Sequence, residues 1–283
     1  MARTILVPLD GSAASERILP EASRILGTNG RVHLLHLLSG KSAREGKGYL
    51  ERLRRSAFPR SEGLNLVRTG KAADGILRAA LEKNIDLIAM TTHARDGVGR
   101  HLLGSVAAEV VRASQLPVLL SRPDTPAPRN PIRRILVPID GNQSPSDLLQ
   151  TLRFLCPDAQ QEVILLRVLP AVHDPAPQWA VKAPLSPGTS PESRLQDLAD
   201  GLEEEGFIAW PITSVGNVEE EILAHGRKLE VDLIAMSTHG RGGLERLLEG
   251  SVSEQVLRRS PVAVLLQKPL VIHTSRMAGG VHA

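Results

Sequence analysis

The sequence predicts an α/β protein of two tandem domains, each a five-stranded parallel sheet of order 3-2-1-4-5 flanked by helices. Three observations predict it. First, the chain repeats itself. Thr4-Ile5-Leu6-Val7-Pro8-Leu9-Asp10-Gly11-Ser12 returns as Arg134-Ile135-Leu136-Val137-Pro138-Ile139-Asp140-Gly141-Asn142, and Asp86-Leu87-Ile88-Ala89-Met90 returns as Asp232-Leu233-Ile234-Ala235-Met236. Second, short apolar runs alternate with helical patterns in each copy, an order that implies right-handed crossovers and an open, doubly wound sheet. Third, runs such as Ile135-Leu136-Val137 are apolar without a break, as strands covered on both faces are. A chain of 283 residues has room for two such domains of about 130 residues each.

In the first copy, strands are expected near residues 3–9, 31–37, 63–68, 86–91 and 116–121, and helices near 12–26, 43–56, 73–83 and 105–113. Pro20 falls inside the first helical pattern and predicts a kink. Residues 123–131 hold four prolines and read as an extended linker between a domain at 1–122 and a domain at 132–268. The second copy repeats the pattern, but its offset grows from 130 at the first match to 146 at Asp86/Asp232. The extra length falls in residues 171–189, rich in Pro and Gly, which read as a long loop. Residues 269–283 carry no pattern and read as a flexible tail.

Composition excludes several classes. Hydrophobic residues make up 42%, enough for two cores, yet there are only two Trp, one Tyr and three Phe. The cores must be aliphatic, and single-strand nucleic-acid binding by ring stacking is disfavoured. The one cysteine, Cys156, cannot form an internal disulfide; with Leu148, Leu152 and Leu155 it reads as a small buried hydrophobe. There is no CxxC and no zinc spacing. No apolar run approaches the roughly 20 residues of a membrane span, and Met1-Ala2-Arg3-Thr4 leads straight into a strand. The expectation is a cytoplasmic protein with neither a membrane nor a nucleic-acid partner. The net charge of +3 divides unevenly: residues 1–130 hold 20 Lys+Arg and 12 Asp+Glu, and residues 131–283 hold 14 and 19. The basic excess in residues 41–60 reads as a solvated helix face.

The stretch that points to chemistry is Ser237-Thr238-His239-Gly240 followed, after nine residues, by Gly250-Ser251. It runs from a buried strand into a helical pattern at 252–259. Glycines let a backbone approach an anion, and a helix start offers unpaired N–H groups and a positive dipole end. The first half keeps a degraded copy, Thr91-Thr92-His93-Ala94, nine residues, then Gly104-Ser105. Asp10 and Asp140 end the first strands, which the 3-2-1-4-5 order sets beside the fourth, at the switch point where such sheets bind ligands. His93 and His239 read as loop braces. Asp86 and Asp232 read as caps of the preceding turn. Glu219, Glu220 and Glu221 read as acids at a helix start, not as metal ligands.

Taken together, Val-Pro-(Leu/Ile)-Asp-Gly, Asp-Leu-Ile-Ala-Met and the Gly-x2-Gly-x9-Gly-(Ser/Thr) spacing resemble the universal stress protein family in its tandem form, across nearly the whole chain. The resemblance implies a Rossmann-like (adenine nucleotide alpha hydrolase-like) fold and ATP, with Mg2+, as ligand. In the second half it implicates Pro138, Asp140, Val168, Met236, Ser237, Gly240, Gly250, Ser251, Val252 and Ser253. In the first half the matching positions are Pro8, Asp10, Leu37, Met90, Thr91, Gly104, Ser105 and Val106, with Ala107 beside them. The pattern is broken at Ser237, where the family places glycine, and further at Thr91 and Ala94, so ATP binding by the first half stays open. The family also implies that the halves pair through their fifth strands as an intramolecular pseudo-dimer, with a further homodimer and an unidentified protein partner as open alternatives.

The resemblance implies a nucleotide-binding stress module with slow hydrolysis at most and no assigned catalytic residue. A nucleotide-free interaction protein is the competing reading. Dedicated enzymes rank low: no Walker lysine motif and no G-x-G-x-x-G follows the first strand. An ATP-pyrophosphatase loop would need Ser-Gly-Gly-x-Asp-Ser where the chain has Asp-Gly-Ser or Asp-Gly-Asn.

Overall fold

The structure is a computed structural model that describes residues 3–27, 30–38, 42–92, 103–128, 131–140, 146–155, 161–169, 191–238 and 251–268. The first half runs β1 (Thr4–Leu9), α1 (Ala13–Glu16), α2 (Leu19–Leu26), β2 (Arg31–Leu37), α3 (Ala43–Ala57), β3 (Asn65–Arg68), α4 (Ala72–Glu82), β4 (Leu87–Thr91), α5 (Ser105–Ala113) and β5 (Val118–Ser121). The second half runs β6 (Arg134–Ile139), α6 (Ser146–Leu155), β7 (Glu162–Leu169), α7 (Pro191–Glu204), β8 (Ile208–Val215), α8 (Val218–Lys228), β9 (Leu233–Ser237), α9 (Val252–Arg259) and β10 (Ala263–Gln267). Both halves adopt the expected order, and they join into one ten-stranded sheet, β3-β2-β1-β4-β5-β10-β9-β6-β7-β8.

The burial pattern explains why the strands read as unbroken apolar runs. Ile5, Val7 and Leu9 of β1 face one core layer with residues of α2 and α3, while Leu6 faces the other with residues of α4 and α5. The second half repeats this, with α6 and α7 on the first layer and α8 and α9 on the second. At the start of β3 the chain passes so close to β2 that a side chain on Gly63 (φ +141°) would put its Cβ 1.8 Å from the Val32 carbonyl oxygen.

The seam between halves is the one antiparallel strand pairing among the described residues. Leu119 lies opposite Leu265, with Val118 opposite Leu266 and Leu120 opposite Val264. These positions match across the repeat, so the Leu119–Leu265 pair sits on a pseudo-twofold axis, and both residues are fully buried. The pairing through fifth strands is thus met inside one chain. A buried ion pair reinforces it from the flank. Arg24 of α2 binds Glu21 at 2.6 Å and reaches the Asp232 carbonyl at 3.0 Å and carboxylate at 3.7 Å. Burial pushes the Glu21 carboxyl above its ordinary pKa, an effect that Arg24 opposes.

Three expectations need correction. Pro20 does not kink one helix: it sits in the first turn of α2, where its missing N–H costs nothing, and the chain breaks into α1 and α2 before it. The linker does not begin extended, because Arg122 and Thr125 close a turn on each other, the Arg122 N–H donating to Thr125 Oγ1 and the Thr125 N–H to the Arg122 carbonyl. Asp86 and Asp232 do not cap the turns before them. Asp86 Oδ2 accepts from the Thr4 N–H at 2.8 Å, and Asp232 Oδ2 from the N–H groups of Arg133 and Arg134 at 2.9 and 3.0 Å. Each carboxylate therefore ties the start of the fourth strand of its half to the start of the first. The helix starting at Ala43 carries the basic stretch as expected and opens with a Ser42–Glu45 capping box. The long loop, the tail and Cys156 lie outside the described residues; Leu148 and Leu152 are buried as read.

Asp232→Ala strands two N–H donors and removes a partner of a buried arginine, so urea denaturation should show a loss of about 2–3 kcal/mol, and about 1 kcal/mol for Asp86→Ala. His33 is buried, and its pKa is lowered first by burial and then by Arg54, Lys83 and Arg31. The unfolded chain takes up that proton first, so stability should fall as pH drops below about 6.5, and His33→Leu should flatten this acid slope in denaturation curves.

Candidate functional site

The site follows from where the central strands part. β1 pairs with β4 only through Ile5–Leu87 and Leu6–Ile88, and β6 with β9 only through Ile135–Leu233 and Leu136–Ile234. Pro8 and Pro138, which have no N–H to give a ladder, lie beyond the last of these pairs. Between the carboxyl ends of β1 and β4, and again of β6 and β9, the sheet opens at its switch point.

Asp10 and Asp140 follow directly at the lips of these openings. Asp10 Oδ1 accepts from the Ser12 N–H at 2.9 Å and the Ser12 hydroxyl at 2.6 Å, and Gly11 between them takes φ +89°, a conformation that favours glycine. Ser12 then caps α1 by accepting from the Ser15 N–H at 3.1 Å. The first lip is thus built by its own short turn. Behind it, the buried His36 binds the Leu9 carbonyl through Nδ1 at 2.8 Å and meets the Tyr49 ring at a centroid distance of 5.1 Å. Burial, with Glu16 nearby, holds the Tyr49 phenol well above its usual pKa.

On the opposite lip, β4 ends at Thr91 and β9 at Ser237. The next residues, Thr92 and Thr238, are buried and continue the pairing, their N–H groups donating to the carbonyls of Ser121 (2.9 Å) and Gln267 (2.7 Å). These two threonines fix where each loop leaves the sheet. Sequence reasoning passed over them, although both copies carry one at that place. Residues 93–102 and 239–250, including His93, Ala94, His239, Gly240, Arg241, Arg246 and Gly250, lie outside the described residues.

The loops deliver the chain to α5 and α9. Ser251 is the N-cap of α9, and its Oγ accepts from the Glu254 N–H at 3.2 Å. In the first half the helix starts one position earlier: Gly104 is the N-cap, without a side-chain bond, and Ser105 is the first helical residue and exposed. The two Gly-Ser pairs are therefore not equivalent as caps. Val106 and Val252 lean their side chains on the core, leaving main-chain N–H groups of a first helical turn, which have no partner within the helix. Ser253 is half-buried in that turn.

Met90 and Met236 pack into the core layer under the openings, each 6% exposed. Leu37 and Val168, at the ends of the second strands, pack on the same layer. In each half the sequence-predicted residues outside the loop thus sit at the carboxyl ends of the first, second and fourth strands and at the start of the loop helix. The donor set fits a nucleotide polyphosphate: main-chain N–H groups and a serine hydroxyl for phosphate, a carboxylate for sugar hydroxyls, apolar side chains for a base. Among the described residues no group of three acidic, His or Cys side chains could hold a metal ion, so Mg2+ here would also take ligands from the phosphates. Glu219, Glu220 and Glu221 occupy the first turn of α8, with Glu221 accepting from the Ser214 hydroxyl at 2.5 Å.

Comparison with known proteins gives a consistent result. The model of the universal stress protein family matches residues 1–122 and 131–268. A universal stress protein of Thermus aquaticus is 31% identical over 137 residues, 43% of this chain and 100% of that relative. One from Methanocaldococcus jannaschii is 35% identical over 77 residues, 27% of this chain, and the match spans about half (48%) of that relative. A solved universal stress protein from Archaeoglobus fulgidus superposes with a TM-score of 0.67 at 20% identity, covering 94% of this chain and 98% of that one, a likeness of fold. No helix among the described residues is long and apolar enough to cross a membrane.

Replacing Ser251 by Ala removes the α9 N-cap. It should lower stability by about 1 kcal/mol in urea denaturation, whereas Ser105→Ala, at a position that does not cap, should change it by less than about 0.5 kcal/mol.

Proposed function

Because this chain belongs to the universal stress protein family, in a tandem two-domain arrangement, we propose that it binds ATP with Mg2+ in at least its second half and serves as a nucleotide-responsive stress regulator, not a fast catalyst. The observation that carries the reading is the opening between β6 and β9. It has Asp140 at one lip and, at the other, Ser237 and the Ser251-capped start of α9. A carboxylate after one strand of an open pair and a helix N-terminus in the connection after the other are the complement of a sugar joined to a phosphate chain.

In this reading the Val252 and Ser253 N–H groups and the Ser251 hydroxyl hold phosphate oxygens, and Gly240 and Gly250 clear the main chain for them. Asp140 accepts from a ribose hydroxyl or steadies a metal-bound water. Val168 and Pro138 line the base side, and Met236 supports the floor. Pro8, Asp10, Leu37, Met90, Thr91, Gly104, Ser105 and Val106 form the corresponding set in the first half, where Ala94 puts a methyl at the position of Gly240. We take residues 1–122 and 132–268 as the two domains, 123–131 as linker and 269–283 as tail.

Mass spectrometry of the native protein should find co-purified adenine nucleotide, and calorimetry should show ATP-Mg2+ binding. Gly240→Val should abolish binding to the second half, while Gly104→Val should leave it intact. A wild-type protein with no bound nucleotide and no heat on titration would overturn the reading in favour of a nucleotide-free interaction protein.

A further inference from the structure

We propose that the two halves are coupled through their loop helices: the cation that follows each half's last strand grips the C-terminal end of the other half's helix, so that an anion at the start of that helix is felt across the seam. The coupling rests on the nucleotide reading above for its ligand, and on separate observations for its machinery.

Arg122 follows β5, and its Nη1 donates to the carbonyl of Arg258, in the last turn of α9, at 2.5 Å. Its remaining nitrogens are anchored on Asp124, Nε to Oδ1 and Nη2 to Oδ2, both at 2.8 Å, which fixes the guanidinium. Lys268 follows β10, and its Nζ donates to the carbonyl of Arg112, in the last turn of α5. Positions 112 and 258 are separated by 146 residues, and so are 122 and 268. The same grip is therefore made twice about the Leu119–Leu265 axis, with a different cation each time. Lys268 is buried, 8% exposed, and burial lowers its pKa, a cost that its place at a helix C-terminus helps offset.

A grip at one end of these helices acts on the other end for two reasons. α9 spans eight residues, roughly 12 Å, so it moves as a rigid rod, and a positive charge at its C-terminus aligns with a negative one at its N-terminus. One flank of α9 also has room to move. Glu254, Leu257 and Arg258 wall a cavity of about 320 Å3 whose other side is Arg122 together with Thr92 and Leu103, the two residues from which the first half's loop departs. A shift of α9 therefore changes the wall that faces Thr92 and Leu103.

The test uses the full chain, with ATP-Mg2+ as probe. Arg122→Met should weaken ATP-Mg2+ binding at α9 about threefold to tenfold, and Arg122→Lys should restore most of it. Hydrogen exchange on the nucleotide-free protein should show faster exchange at residues 252–256, at the far end of α9, in Arg122→Met. Lys268→Met should do the same at residues 106–109 of α5, and serves where Arg122→Met folds poorly. Unchanged affinity, or faster exchange confined to residues 257–260, overturns the coupling. A wild type that binds no ATP-Mg2+ sinks the nucleotide reading instead, and the exchange pattern still decides whether the grip reaches the helix start.

Discussion

A sheet of apolar parallel strands covered on both faces still ends in an open edge, with unpaired N–H and C=O groups beside leucines and valines. Here the fifth strand of each half closes the other, with Leu119 against Leu265 at the centre. Much else depends on that seam. It places α5 and α9 on the same core layer near the axis, brings Arg24 to Asp232, and sets Arg122 and Lys268 on the helices opposite. The uneven charge of the two halves takes physical form here, since the buried Arg24 belongs to the basic half and Asp232 to the acidic one.

Most of the architecture was legible in the residues because the signal was doubled. A single Ile-Leu-Val run is ambiguous between strand and buried helix, but the same run returning with Pro and Asp behind it is not. What escaped reading was long-range. The sequence places Asp86 and Asp232 before strands, and a local cap is the natural inference; only the fold shows that their partners are Thr4 and Arg134, brought alongside by sheet order. Pro20 predicts a kink because a helical pattern runs past it, whereas its fixed φ starts a new helix. The buried Glu21–Arg24 pair and the grips of Arg122 and Lys268 leave no local trace, since a charged residue between apolar neighbours looks the same whether it meets water or a distant carbonyl.

The candidate site was legible in part. Asp10, Asp140, Thr91, Ser237 and the helix starts fall where the strand order sends them. The detail that Ser251 caps its helix while Ser105 lies inside its own depends on a one-residue difference in where the chain turns. The threonines at 92 and 238 were overlooked because nothing marks a small polar residue as an anchor until the neighbouring fifth strand is seen.

Two identical subunits that associate must carry every change on both sides of their axis. A covalent tandem escapes that rule. With both halves in one chain, position 94 holds Ala while position 240 holds Gly, and a lysine answers an arginine across the seam. Each copy is free to drift toward its own task while the other preserves the shared scaffold, and the assembly ratio of the two specialised parts is held at one to one by the peptide bond itself.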